Sequence, residues 1–184
     1  MELDTLPADL PVPVDGGCAD HLDGMRLPEL DLPATNGELI SIRDLPGTVV
    51  LYIYPMTGRP DKKLPNGWDQ IPGARGCTPQ SCAFRDHHAE LRSLETDVFG
   101  LSSQNRDYQI EVKNRLHLPF ELLSDPHFAL KNSLKLPTFE VDNREFYKRI
   151  TLILINGVVR KAFYPVFPPN ENAEKVIAWL KASA

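Results

Sequence analysis

Cys77 and Cys82 stand five residues apart in Gly-Cys-Thr-Pro-Gln-Ser-Cys-Ala-Phe-Arg-Asp, residues 76–86, where a helical pattern begins. A helix N-terminus favours an anion, so a thiolate at Cys77 is stabilised there. A second thiol nearby can capture what the first becomes after oxidation. On a regular helix, five residues rise about 7.5 Å and turn about 140° past one full turn, which puts the two Cα atoms roughly 8–9 Å apart. A disulfide needs them within about 7 Å. The pair therefore bridges only if the first helical turn unwinds, which marks it as a moving part rather than a staple.

Other readings of the pair stay open at this level. Two cysteines on a helix can be small hydrophobes. A zinc site is disfavoured because no second ligand pair exists elsewhere, and His87 and His88, as adjacent helical residues, face different ways. A thioredoxin-type disulfide oxidoreductase carries C-x-x-C, whereas here four residues intervene.

The elements that must position the pair read as an α/β chain. Residues 48–54 (TVVLYIY) form a short apolar run rich in β formers, a buried strand that Pro55 ends. Residues 56–76 make a long loop with three prolines and four glycines, and loops of that length inside a domain are usually functional. Residues 78–94 read as one helix, with Phe84, His88 and Leu91 on a shared face. A strand over 97–102 follows, then a helix capped at Ser103 or Asn105 and reaching about Leu116. Next come a short strand over 120–123 and a short helix from Asp125 to about Leu134. Residues 149–155 and 158–164 flank Asn156-Gly157, the signature of a type I′ hairpin turn. A helix over 170–182 closes the chain. This order suits a sheet with helices on both faces. It sets Cys77 beyond the C-terminal end of the first core strand, where open α/β sheets place their sites.

At 184 residues, 42% apolar and 24% charged, the chain fits one globular domain. Residues 1–26, rich in Pro, Asp and Gly, read as an extended arm ahead of a domain over 27–184. A net charge of −5 without a basic cluster argues against nucleic acid. No run approaches the ~18 apolar residues of a membrane span, and the acidic N-terminus lacks a signal-peptide core. Three cysteines do not make a secreted disulfide framework. The expectation is a cytoplasmic protein with no bound metal or organic cofactor.

The motifs LPELDLPATNGELISIRDLPG, VVLYIYP, GCTPQSCAFRDHHAEL, LPFELLSDP and KRITLILINGVVRKAFYPV together resemble the peroxiredoxins, specifically the peroxiredoxin Q or bacterioferritin comigratory protein subfamily. The resemblance runs from about Leu27 to Leu180. It implies a thioredoxin-like fold, a central mixed β-sheet flanked by helices. It also implies thiol-dependent reduction of hydrogen peroxide and organic hydroperoxides, with an intramolecular disulfide in the atypical two-cysteine manner. Cys77 then matches the attacking cysteine and Cys82 the resolving one. Arg149 matches the arginine that stabilises the thiolate and polarises the peroxide, Gln80 the residue that orients it, and Pro55 the proline that shields the site. Thioredoxin or glutaredoxin is implied as reductant, and a monomer or homodimer as the assembly.

The chain departs from the family pattern at one place. A hydroxyl is expected three residues before the attacking cysteine, where this chain has Ala74. Thr57, folded back by the loop, is the candidate substitute, with Thr78 behind it. Cys18 in the arm is a spare thiol or an alternative resolving one. Arg85 and Asp86 are either a polar network beside the site or solvated helix charges, and Trp68 is a hydrophobic anchor of the loop. The alternatives to a peroxidase are a redox-sensing or chaperone-like thiol protein and a general disulfide oxidoreductase.

Overall fold

The structure is a computed structural model that describes residues 3–184. Its strands are β1 (Asp31–Pro33), β2 (Leu39–Ser41), β3 (Thr48–Ile53), β4 (Thr96–Ser102), β5 (Leu122–Ser124), β6 (Thr138–Val141), β7 (Arg144–Tyr147), β8 (Ile150–Ile155) and β9 (Val158–Phe163). Its α-helices are α1 (Cys77–Asp86), α2 (His88–Ser93), α3 (Arg106–Leu116), α4 (Ala129–Leu134) and α5 (Asn172–Ala182).

Five strands make the central sheet in the order β5-β4-β3-β8-β9. β3 is parallel to β4 and antiparallel to β8, which pairs antiparallel with β9. Successive side chains of a strand point to opposite faces, and β3 divides its apolar residues accordingly. Val49, Leu51 and Ile53 enter one apolar cluster, with Leu130 and Leu134 of α4 and Leu22 and Leu27. Val50 and Tyr52 enter another, with Phe84 of α1, Leu91 of α2, Val112 of α3 and Val176 of α5. Helical residues thus cover both faces, as the element order predicts. Burial on two sides explains why β3 and β8 read as continuous apolar runs rather than alternating ones.

Three local differences from the sequence reading matter. The helix read over 78–94 is two helices, broken at His87 (φ −95°, ψ 6°). Phe84 and Leu91 are both fully buried on either side of the break, so the shared face survives it. A second hairpin, β6–β7, turns through Asp142 and Asn143, both at positive φ. Leu22, within the stretch read as an arm, is fully buried, and Gly24 N donates to Val159 O of β9 at 2.9 Å.

The β8–β9 turn has the expected geometry, with φ of 49° at Asn156 and 73° at Gly157. It also docks closely, since a Cβ at Gly157 would lie 2.0 Å from Arg43 O. Backbone on backbone cannot give way as a side-chain tip can. Gly157→Ala is expected to cost about 2–3 kcal/mol from left-handed strain plus this clash, and to lower the melting temperature by roughly 4–12 °C. Thermal unfolding followed by circular dichroism measures it; an unchanged melting temperature would mean that residues 43–47 do not press on the turn.

Candidate active site

Strand pairing brings the chemistry together. β8 runs antiparallel to β3 with Ile53 opposite Ile150. Arg149, one residue before β8, therefore lies beside the end of β3, where the chain departs toward α1. Cys77 is the first residue of α1, after Gly76 as its cap. Gly76 has φ 108°, and a Cβ there would lie 2.4 Å from Pro169 Cγ and 2.9 Å from Leu6 Cδ2. Only glycine fits that passage. The N–H groups of Cys77 and Thr78, at the first two positions of α1, have no intrahelical acceptor and are donors at the cysteine end, whereas Pro79 has no N–H and Gln80 N donates to Gly76 O at 3.1 Å.

Cys77 and Arg149 are each 3% exposed, and Arg149 Nη2 donates to Cys77 Sγ at 3.3 Å. The same nitrogen reaches the carbonyls of Gly73 at 3.3 Å and of Ala74 and Arg75 at 3.2 Å. Nη1 donates to Gln80 Oε1. Among the described residues no carboxylate lies within 4.0 Å of this guanidinium. A buried cation without a counter-ion is costly. An anionic group bound beside the guanidinium would supply the counter-charge that the position lacks.

Gln80 is held in turn. Its Nε2 donates to Asn172 Oδ1 at 2.9 Å, and Thr151 Oγ1 donates to the same oxygen at 2.7 Å. Gln80, Asn172 and Thr151 are all at most 1% exposed. A satisfied buried chain of this kind fixes rotamers, so Arg149 is aimed by α1, α5 and β8 at once. Asn172 and Thr151 were not singled out in the sequence. Asn172 carries no motif and falls inside the helix read over 170–182.

Cys82 lies on the same helix, partly exposed, and all three cysteines are free thiols. Burial pushes the Cys82 thiol up, opposed by nearby Arg85. Arg85 pairs with Asp86 at 2.8 Å and donates to Leu116 O at 2.9 Å, which ties α1 to α3. Tyr52 and Tyr54 lie in the same apolar cluster as Cys77, and burial pushes both phenols well up, so neither contributes charge. Cys18 is exposed, beside Tyr164, whose phenol is pushed up to about 12 by burial and then by that thiol.

Pro55 is buried just beyond β3. Thr57 is fully buried, and its hydroxyl donates to Gln104 Oε1 at 3.2 Å. Its carbonyl accepts from Tyr108 Oη at 3.0 Å. The position three before Cys77 contributes backbone instead of a hydroxyl, for Ala74 O accepts from Cys77 Sγ at 3.7 Å as well as from Arg149. The Ala74 methyl packs with Met56, Trp68 and Phe146, and Trp68 meets the Phe146 ring edge-on at 5.1 Å between centroids. Segment 56–76 is thereby anchored on β6–β7. Among the described residues no His, Cys, Asp and Glu group could hold a metal ion.

The family model described as Redoxin matches residues 22–177. The chain belongs to the redoxin family. Among this redoxin's curated relatives is a chloroplastic peroxiredoxin Q of Suaeda salsa, 26% identical over 164 residues that cover 87% of this chain and 68% of the relative. Peroxiredoxin Bcp of Bacillus subtilis is 32% identical over 108 residues, covering 58% of this chain and 59% of the relative. The redoxin also superposes on a crystal structure of peroxidoxin BcpB from Mycobacterium tuberculosis with a TM-score of 0.71, at 22% identity, covering 88% of this chain and 97% of that one. A peroxiredoxin Q structure from Xanthomonas campestris gives a TM-score of 0.66 at 21% identity, covering 96% and 100%. The fold is thioredoxin-like. Among the described residues no helix is long and apolar enough to cross a membrane.

Proposed function

We propose that Cys77 is the attacking thiol of a thiol-dependent peroxidase and that Cys82 resolves it. The chain reduces hydroperoxides with electrons from a thiol donor, as the peroxiredoxin names of its relatives indicate. The single observation that carries the assignment of roles is the buried Arg149 guanidinium, 3.3 Å from Cys77 Sγ and with no carboxylate partner among the described residues.

Cys77 thiolate attacks the terminal peroxide oxygen. An S–O bond forms as the O–O bond breaks; sulfur loses two electrons, the peroxide gains them, and the departing alkoxide or hydroxide takes a proton to leave as alcohol or water. Arg149 and the first-turn N–H groups stabilise the charge as it moves from sulfur to oxygen. Cys77 is left as a sulfenic acid. The first turn of α1 unwinds, and Cys82 condenses with the sulfenic acid, releasing water and forming the 77–82 disulfide. A dithiol protein, thioredoxin or glutaredoxin, reduces it in the cytoplasm. Gln80 positions Arg149, while Pro55 and Thr57 support the loop that leads to the site.

Mass spectrometry after one equivalent of peroxide tests the roles. A 77–82 disulfide is expected, and Cys82→Ser should stop at the Cys77 sulfenic acid. A 77–18 bridge would move the resolving role to the arm. Because burial holds the Cys82 thiol above its ordinary range, its thiolate fraction grows as pH rises, and the resolving step should accelerate with it. A rate independent of pH from neutral to alkaline would mean that ionisation of Cys82 does not limit the step.

A further inference from the structure

A cleft of about 320 Å³ adjoins the site. Its walls are the arm at Val12 and Val14, the loop at Ile71, Phe139 of β6, and Tyr164 and Val166 beyond β9. Among the described residues, Arg149 and Lys148 supply its charges. Arg149 thus belongs both to the cleft and to the Cys77 thiol. Two further observations point to an occupant. Arg149 Nε is buried and has no partner among the described residues. Val12 is 63% and Val14 83% exposed, two large apolar side chains held in water at the mouth of an apolar cleft.

We propose that this cleft is the subsite for the carbon substituent of an organic hydroperoxide, so that Val14 and Ile71 determine specificity. The proposal rests on the peroxidase reading above and says which peroxides that site prefers. The oxygen bonded to carbon accepts from Arg149, whose Nε is the unused donor. The terminal oxygen is then presented to Cys77 Sγ along the same guanidinium, and the substituent remains on the cleft side. The volume equals roughly ten water-sized spaces, which suits an alkyl or aryl group of similar heavy-atom count such as cumyl. Hydrogen peroxide has nothing to place there and gains nothing from it. The walls at 12–14 and at 71–73 come from the arm and the long loop, the two segments that lie outside or interrupt the motifs shared with the family.

The test compares kcat/KM for cumene hydroperoxide with that for hydrogen peroxide in the full chain. Val14→Asp sets a charge in the mouth at an exposed position that folding does not need, and Ile71→Trp fills the cleft. Each is expected to lower the cumene-to-hydrogen-peroxide selectivity about tenfold, the effect of losing one or two buried methylene contacts. Selectivity unchanged in both variants overturns the subsite. A second measurement needs no turnover: cumyl alcohol, the product, should shift the Val14 and Ile71 methyl resonances of the unmodified protein, and no shift there also overturns it. Loss of the peroxidase reading looks different, since the unmodified protein would then consume neither peroxide.

Discussion

Cys77→Ser is expected to consume peroxide no faster than the uncatalysed background, a loss of at least about 10³-fold, or some 4 kcal/mol of barrier. The change removes one polarisable atom and little else. Serine keeps the size, the place at the first position of α1 and a group able to donate to Ala74 O, as the thiol does at 3.7 Å. It does not keep the chemistry, because a hydroxyl is not ionised near neutral pH and cannot be carried to a sulfenic acid and back. Loss of peroxide followed in the presence of a dithiol donor is the measurement. Retained turnover would remove Cys77 from the mechanism altogether.

Arg149→Met should lower kcat/KM for every peroxide by about 10²–10³-fold, the range for removing a preorganised donor from a dry site. Arg149→Lys should recover only part of that. A lysine restores the charge, but a single ammonium cannot serve Gln80 Oε1, three backbone carbonyls and the Cys77 sulfur at once, as the guanidinium does. The melting temperature separates this from unfolding: the Met variant leaves Gln80 Oε1 and three carbonyls without their donor and should melt lower, so its kcat/KM is compared at a temperature where it is folded. A folded Met variant that retains full kcat/KM would exclude the guanidinium from the reaction.

What was legible in the sequence follows from how strong each local signal is. β3 and β8 are buried on both faces, so their apolar runs stand out. The Asn156-Gly157 turn requires positive φ twice, and few residue pairs supply that. The β6–β7 hairpin uses the same geometry at Asp142-Asn143, but without glycine and between strands carrying Glu140, Arg144 and Glu145 it reads as loop. β1 and β2, three residues each, are too short to show a period. The break at His87 is invisible to periodicity because the buried face continues across it.

At the site, Arg149 meets both Cys77 and Gln80; the family resemblance names these residues, and strand order sets Arg149 beside the end of β3. The compensation at Ala74 was not legible. Sequence patterns record side chains, and what faces the thiol there is a main-chain oxygen, whose direction depends on how Trp68 packs against Phe139 and Phe146. Nor was the Asn172–Thr151 support, because it joins residues far apart in the chain through one shared oxygen atom.

The interruption at His87 leaves α1 as a separate ten-residue helix. A helix of that length has little stability of its own in water, so what keeps it wound is its surroundings: Pro169 and Leu6 over Gly76, the Asn172 bond to Gln80, and the Arg85 bond to Leu116 O. Its melting is a local opening that need not spread to α2 or the sheet. For the proposed 77–82 couple, every contact that holds the wound form favours the dithiol over the disulfide. In electrochemical terms, the set-point of the couple is therefore written largely in residues that never touch a sulfur atom, and it can drift through evolution while both cysteines stay fixed.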